Sequence, residues 1–444
     1  MPVGGDAVTG RSIFRTLWPL AASWLLMALE LPAINIVLTR LADPEIHLAA
    51  YGSLVFPLAL LVEAPIIMLL AASTALCADG ETYRKIRRFT HALGAGLTLI
   101  HAAIAFTPLY GIIARQVLSA PEAIIAPGRI GLMITLPWTW SIAYRRFNQG
   151  VLIRYGHSMA VGIGTIVRLV ADCTVLALGY WIGTVQGTAV AAATIIAGVV
   201  SEAAYAHWRV RPVLRRQLPE APDDGKPFSY AGFLRFYVPL SLTSLIFLGA
   251  RPIFTAAIGR MVDPLASLAV YPVITSLTFL FRAGGVAFSE VVIATLPTPG
   301  AYPALRRFAV GLTLVLSAGI VLIAATPLSS VWFGGITGLS DALLALARSG
   351  LWFALLLPAL STLQSWFQGM VMHHKKTRSI TEAVGLYLVV TSAVLFAGVA
   401  WGGIRGVTVA LVAMTIGEAV RTGWLAWRSR GARALLKRRD LGDA

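Results

Sequence analysis

The sequence is poor in charge. Only 13% of its 444 residues are Asp, Glu, Lys or Arg, about half of the roughly 25% carried by a soluble domain. Against that, 57% are apolar and the mean hydropathy is +0.77, the balance of a chain whose surface meets lipid. Negative charge is the scarcest: 20 acidic residues face 36 basic ones, leaving a net charge of +16. In a soluble protein that excess would suggest nucleic acid. Here the basic residues fall in short clusters between apolar stretches, the pattern of loops beside an anionic leaflet, so the expected partner is the bilayer and not nucleic acid. Cysteine is almost missing; Cys77 and Cys173 allow at most one disulfide. No zinc spacing, P-loop or HExxH pattern occurs, so no metal, cofactor or enzymatic chemistry is expected.

Long apolar runs are what the chain has in abundance. A span needs about 20 apolar residues, because a helix rises 1.5 Å per residue through a core about 30 Å thick. Twelve stretches qualify: 12–39, 47–76, 90–113, 125–147, 158–182, 186–207, 232–259, 265–296, 309–331, 341–370, 379–400 and 405–427. The first is far too long for a signal-peptide core. The expected fold is an all-α polytopic membrane protein of about twelve transmembrane helices. If the N-terminus is inside, 26 basic residues fall in cytoplasmic segments and six in the opposite loops, a strong positive-inside bias. Both termini are then cytoplasmic, in a multi-pass protein of the cell inner (cytoplasmic) membrane. Arg145, Arg146 and Arg154 count among the cytoplasmic residues on this reading.

The two halves of the chain repeat each other. At an offset of 220, Arg15 falls on Arg235, Pro19 on Pro239, Pro32 on Pro252, and Asp43-Pro44 on Asp263-Pro264. At 219, Arg87-Arg88-Phe89 meets Arg306-Arg307-Phe308, Thr107-Pro108 meets Thr326-Pro327, and Gln149-Gly150 meets Gln368-Gly369; with a small gap, Glu202 meets Glu418. Chance would match Leu and Ala, not Pro, Arg and Asp. Six spans per half make parallel repeats about an axis along the membrane normal. The expected organisation is an N-lobe at 1–207, a cytoplasmic linker at 208–231, a C-lobe at 232–427 and a basic tail at 428–444, working as a monomer. Pro19, Pro32, Pro239 and Pro252 interrupt the backbone hydrogen bonding of spans 1 and 7, as packing kinks or as hinges for alternating access.

Ionisable groups at bilayer depth are costly and mark functional candidates. Six stand out: Glu30, Glu63, Arg168, Asp172, Arg251 and Arg282. Arg168 and Asp172, spaced i and i+4, can pair along one helix face. Through the repeat, Arg251 maps next to Glu30 and Arg282 next to Glu63. Three readings stay open: gating pairs between the lobes, arginines that bind an anionic substrate, or charges neutralised within each lobe. Glu290, Glu202 and Glu418 are expected near cytoplasmic helix ends. His373-His374-Lys375-Lys376 reads as a solvated cluster and His101 as hydrogen-bonded core.

Several segments carry a family resemblance: Leu48–Gly52, Phe236–Leu240 with Arg251–Ile253, Glu290, Lys375–Thr377, Gly403–Val407 and Gly417-Glu418. With the parallel six-span repeats, they resemble the MATE-like exporter superfamily (MOP) and, within it, the progressive ankylosis (ANK) transporter family. That family is associated with cellular export of pyrophosphate, ATP and citrate. The resemblance therefore implies an exporter of phosphorylated or carboxylated anions, with Arg251 and Glu290 carried over by position. The chain departs from the animal members in its short basic ending, and Glu30 and Glu63 do not match the family pattern. A MATE-type cation antiporter driven by H+ or Na+ is favoured by Glu30, Glu63 and Asp172, and a lipid-linked saccharide flippase is a third reading.

Overall fold

The computed structural model describes residues 8–218, 228–373 and 378–441. Among these, eleven helices are long and apolar enough to cross a membrane. They are α1 (Gly10–Leu38), α2 (Pro44–Leu76), α3 (Gly80–Phe106), α5 (Ser158–Ile182), α6 (Gly187–Arg216), α7 (Tyr230–Ile258), α8 (Pro264–Thr295), α9 (Ala301–Ala325), α10 (Asp341–His373), α11 (Arg378–Trp401) and α12 (Gly406–Arg428). The remaining expected span, α4, is in two pieces, Glu122–Ile134 and Leu136–Arg154. Thr135 flattens to ψ 3° between them, its hydroxyl donates to the Leu132 carbonyl, and Pro137 follows with no N–H to continue the ladder.

Two expectations at the margins change. The stretch from Trp208 to Arg216 is helical, with Pro212 inside, so α6 runs on into what reads as linker; residues 219–227 lie outside the described set. The tail is a helix too, α13 (Arg430–Leu441), because Ala432 and Leu436 recur on one face and find a buried seat. His374, Lys375, Lys376 and Thr377 lie outside the described residues.

The chain forms two compact units. One, here the N-half unit, is Ala33–Ala269; the other, the C-half unit, holds the chain up to Pro32 together with Val270 onward. They divide the chain differently from the two sequence halves, because the start of α1 packs with the C-half helices and α7 packs with the N-half helices. The reason is visible in each core. Ile13 and Leu17 of α1 lie in a buried cluster with Phe288, Trp366 and Met370. At the matching positions of α7, Phe233 and Tyr237 set their rings edge-on to Phe89, 4.8 and 5.2 Å away, and the Tyr237 hydroxyl donates to the Pro65 carbonyl at 2.6 Å. Where lipid surrounds the helices, such interdigitation and interhelical hydrogen bonds hold them together, since apolar burial alone gains little.

The repeat is present inside each unit as packing. Gly150 lets α4 meet α2 at Ser73 and Leu70, and Gly369 lets α10 meet α8 at Val292 and Ser289; every partner is displaced by 219. Chain turns repeat as well. Asp43 and Asp263 take φ of 48° and 49° ahead of Pro44 and Pro264. Asp tolerates the left-handed region, and proline suits a first helical position whose N–H has no partner. Ser23 and Thr243 each donate a hydroxyl bond to the carbonyl four residues back, that of Pro19 and of Pro239. The helices stay continuous through Pro19, Pro32, Pro239 and Pro252.

Candidate functional site

Glu202, on α6 of the N-half unit, is the centre of a buried charge cluster. It is 2% exposed. Arg145 of α4 donates a short charge-assisted hydrogen bond to one of its oxygens. Gln149, one turn further along α4, donates to the other at 2.8 Å. Arg168 of α5 stands 4.0 Å from it and 3.8 Å from Asp172 along its own helix. Residue 198 of α6 is glycine at the point of closest approach: a Cβ there would collide with the Asp172 carboxylate. Glu63 of α2 adds a third acid. It is 4% exposed, its Oε2 accepts no hydrogen bond, and the charges acting on it are those of Arg145, Arg146, Arg168 and Arg251.

The C-half unit has its own version, built on Glu418 of α12, 4% exposed. Arg282 of α8 donates to Oε1 at 2.9 Å, and Gln364 of α10 donates to Oε2 at 2.6 Å. Arg421, three residues on, reaches Oε2 at 3.4 Å. Gln364 also donates to the Thr422 hydroxyl at 3.1 Å. Each carboxylate thus receives two guanidiniums and one amide. Such charge-assisted donors are what keeps a charge tolerable where water is scarce.

Packing aligns the two clusters without a gap. Gly417 is to Thr391 and Tyr387 as Gly198 is to Asp172 and Arg168, again at 219. On that register Glu202 corresponds to Arg421, Arg145 to Gln364, and Asp172 to Thr391. The gapped match of Glu202 with Glu418 is therefore replaced: the two glutamates sit about one turn apart on equivalent helices, and each unit reaches the same centre from different slots. Both glutamates, expected near cytoplasmic helix ends, are buried and ion-paired. Arg145, counted among the cytoplasmic basic residues, is 5% exposed inside α4. One signal could have found it, namely that its repeat partner Gln364 is also polar within an apolar span.

The other predicted residues fall as follows. Glu63, Arg168 and Asp172 gather around Glu202, while Arg282 is spent on Glu418. Arg251 is exposed on α7, its guanidinium 5.5 Å over the Phe56 ring. Glu30 is partly buried on α1, and Glu290 is exposed on α8, outside both clusters. His101 is buried, its ring nitrogens 3.2 Å from the Thr139 hydroxyl and 2.9 Å from the Leu132 carbonyl. Both cysteines are free.

No protein-family model matches the chain, and no curated protein matches it in sequence. Solved structures do match in shape. An inward-facing multidrug resistance MATE family transporter of the MOP superfamily superposes with a TM-score of 0.68 at 17% identity, covering 92% of this chain and 96% of its own. The outward-facing conformation of a multidrug resistance MATE family transporter gives 0.59 at 18%, with 96% of each chain covered. A MOP superfamily transporter from Pyrococcus furiosus, described as having a binding pocket of reverse polarity that suggests a different function, gives 0.61 at 17%, covering 96% of this chain and 99% of that one. Over nearly its whole length, the chain has the fold of the MATE transporters of the MOP superfamily.

Proposed function

We propose that this protein is a secondary active transporter, not an enzyme, that works by alternating access and exports small organic or phosphorylated anions, of the citrate or pyrophosphate kind. The fold and the internal repeat support transport, because two repeats that rock against each other need matched scaffolds. The cytoplasmic termini, the inner-membrane location and the monomeric state belong to the same proposal. So does the kinship with the ANK transporters, carried by the segments quoted above.

One observation carries the anion reading: Arg251 is exposed in the apolar part of α7. A guanidinium on a lipid-facing surface would cost at least about 2.5–3.5 kcal/mol, so its exposure supports a water-lined route over a lipid-facing one. Guanidinium is the side chain best matched to carboxylate and phosphate. That the pocket polarity of the Pyrococcus furiosus transporter is described as reversed supports a scaffold tolerant of either sign.

A second reading has its own observation. Glu63 is a buried acid with an unpartnered oxygen, and with Asp172 it offers a cation antiporter a place for H+ or Na+. The test is flux in reconstituted vesicles under a pH gradient, with citrate, pyrophosphate and ATP set against cationic dyes. Anion flux that falls at least about tenfold in Arg251→Gln, the cost of one charge-assisted contact, is the expected result. Dye flux lost in Glu63→Gln, with no anion flux in the parent, establishes the antiporter instead.

A further inference from the structure

The last helix serves neither cluster, and its charges are sorted. On one side α13 is docked. Ala432 and Leu436 are buried, Leu436 among Phe288, Tyr302 and Trp366. Arg433 donates to the Ala426 carbonyl and lies 5.3 Å over the Phe367 ring. Arg439 donates to the carbonyls of Leu296 and Thr298, at the end of α8. Asp440 accepts the Tyr302 backbone N–H at 2.8 Å, placing a carboxylate at the start of α9, where it favours the helix dipole.

The other side shows water a basic face. At 100° per residue, Arg430, Lys437 and Arg438 share one stripe of the helix, and all three are exposed, with Leu435 beside them at 59%. The helix before it ends on an interfacial signature: Trp424 and Trp427 pack at 4.8 Å, and Arg428 covers Trp427 at 5.7 Å. Tryptophan and arginine at the end of a membrane helix settle at headgroup level, and Ser429 alone separates α12 from α13. The stripe is therefore held where lipid phosphates are.

We infer that α13 is an interfacial helix that binds the headgroups of anionic lipids through Arg430, Lys437 and Arg438, and that this binding secures the α8–α9 corner through Arg439 and Asp440. The basic stripe gives the attraction and Leu435 the shallow insertion, as in other juxtamembrane basic helices. The inference is independent of which substrate is carried.

The experiment uses the full-length protein in nanodiscs of phosphatidylcholine, with and without about a third phosphatidylglycerol, and reads amide hydrogen exchange at residues 430–441 and at Tyr302. Anionic lipid is expected to slow exchange at both places. The triple variant Arg430→Gln, Lys437→Gln, Arg438→Gln is expected to lose that dependence, at about fivefold in lipid affinity per residue. The charge-preserving pair Arg430→Lys, Arg438→Lys is expected to keep it. Equal exchange in the two parent nanodiscs overturns the inference without any variant. Equal protection by inorganic phosphate in phosphatidylcholine discs overturns it too, by assigning the face to a free anion.

Discussion

The two buried glutamates make an instructive pair. Glu202 and Glu418 each sit among two arginines and a glutamine amide, in units that share a scaffold down to the contacts of single glycines. Their surroundings differ. Around Glu202 the arginines come from α4 and α5, and Glu63 and Asp172 add further negative charge. Around Glu418 they come from α8 and α12 itself, threonine replaces the aspartate, and no second acid is present among the contacts described. The N-half cluster therefore gathers three acids, while the C-half cluster, one glutamate between two arginines, carries net positive charge. Duplication preserved the packing and let the chemistry diverge, because a helix crossing depends on backbone approach, whereas a buried charge needs only to be balanced from some direction.

The comparison breaks most sharply at the acids. Glu202→Gln strands Arg145, whose side chain is 6% exposed, and is expected to cost about 3–5 kcal/mol, the usual penalty for breaking a buried pair. Glu418→Gln is expected to cost less, since Arg282 and Arg421 are 15% and 14% exposed and keep a path to water. Thermal unfolding of the two variants in detergent ranks them; equal losses would show that the surroundings do not matter.

The scaffold itself is tested one step down. Gly150→Ala drives a methyl into the Leu70 carbonyl and the Ser73 hydroxyl, whereas Gly369→Ala meets mainly the Val292 side chain, 2.7 Å from its Cβ. Both are overpacked, at roughly 1–3 kcal/mol. Gly150→Ala should lie at the upper end because a helix backbone yields less than a side chain. Unfolding midpoints that fall in the reverse order would separate packing from the repeat.

The smallest effect belongs to the C-half unit alone. Hydrogen bonding from Arg439 holds the Asp440 carboxyl down to about 2, against 3.8 when free. A depressed carboxylate contributes its full stability above the unfolded value and loses it as pH falls through the folded one. Docking of α13 should therefore weaken between about pH 4 and pH 2, and Asp440→Asn should remove that step. Proteolysis of the tail against pH reads it, and an unchanged profile in Asp440→Asn would assign the step elsewhere.

Much of this was legible in one dimension. Apolar length placed the spans, since bilayer thickness fixes how long a helix must be, and the breaks inside them, in α4 at Thr135 and in α10 between Leu351 and Leu357, left no trace in it. Matched Pro, Asp and Gln revealed the repeat. Arg168 and Asp172 could be paired from spacing because i and i+4 face one another on any helix. Glu202, Arg145 and Glu418 were hidden, because the expected spans put each near a cytoplasmic helix end, where a charge usually costs nothing. The tail read as a basic stretch, since its few apolar residues define no face until something packs against them.

What the sequence determined by itself was local or periodic: helical length, the duplication, and the charges too deep to be incidental. Tertiary structure alone decided which helix joins which unit, the ungapped register of the clusters, and which guanidinium neutralises which acid. Those depend on residues more than 50 positions apart, such as Arg145 with Glu202 and Arg282 with Glu418. Their meeting is set by helix packing, which no single stretch of chain encodes.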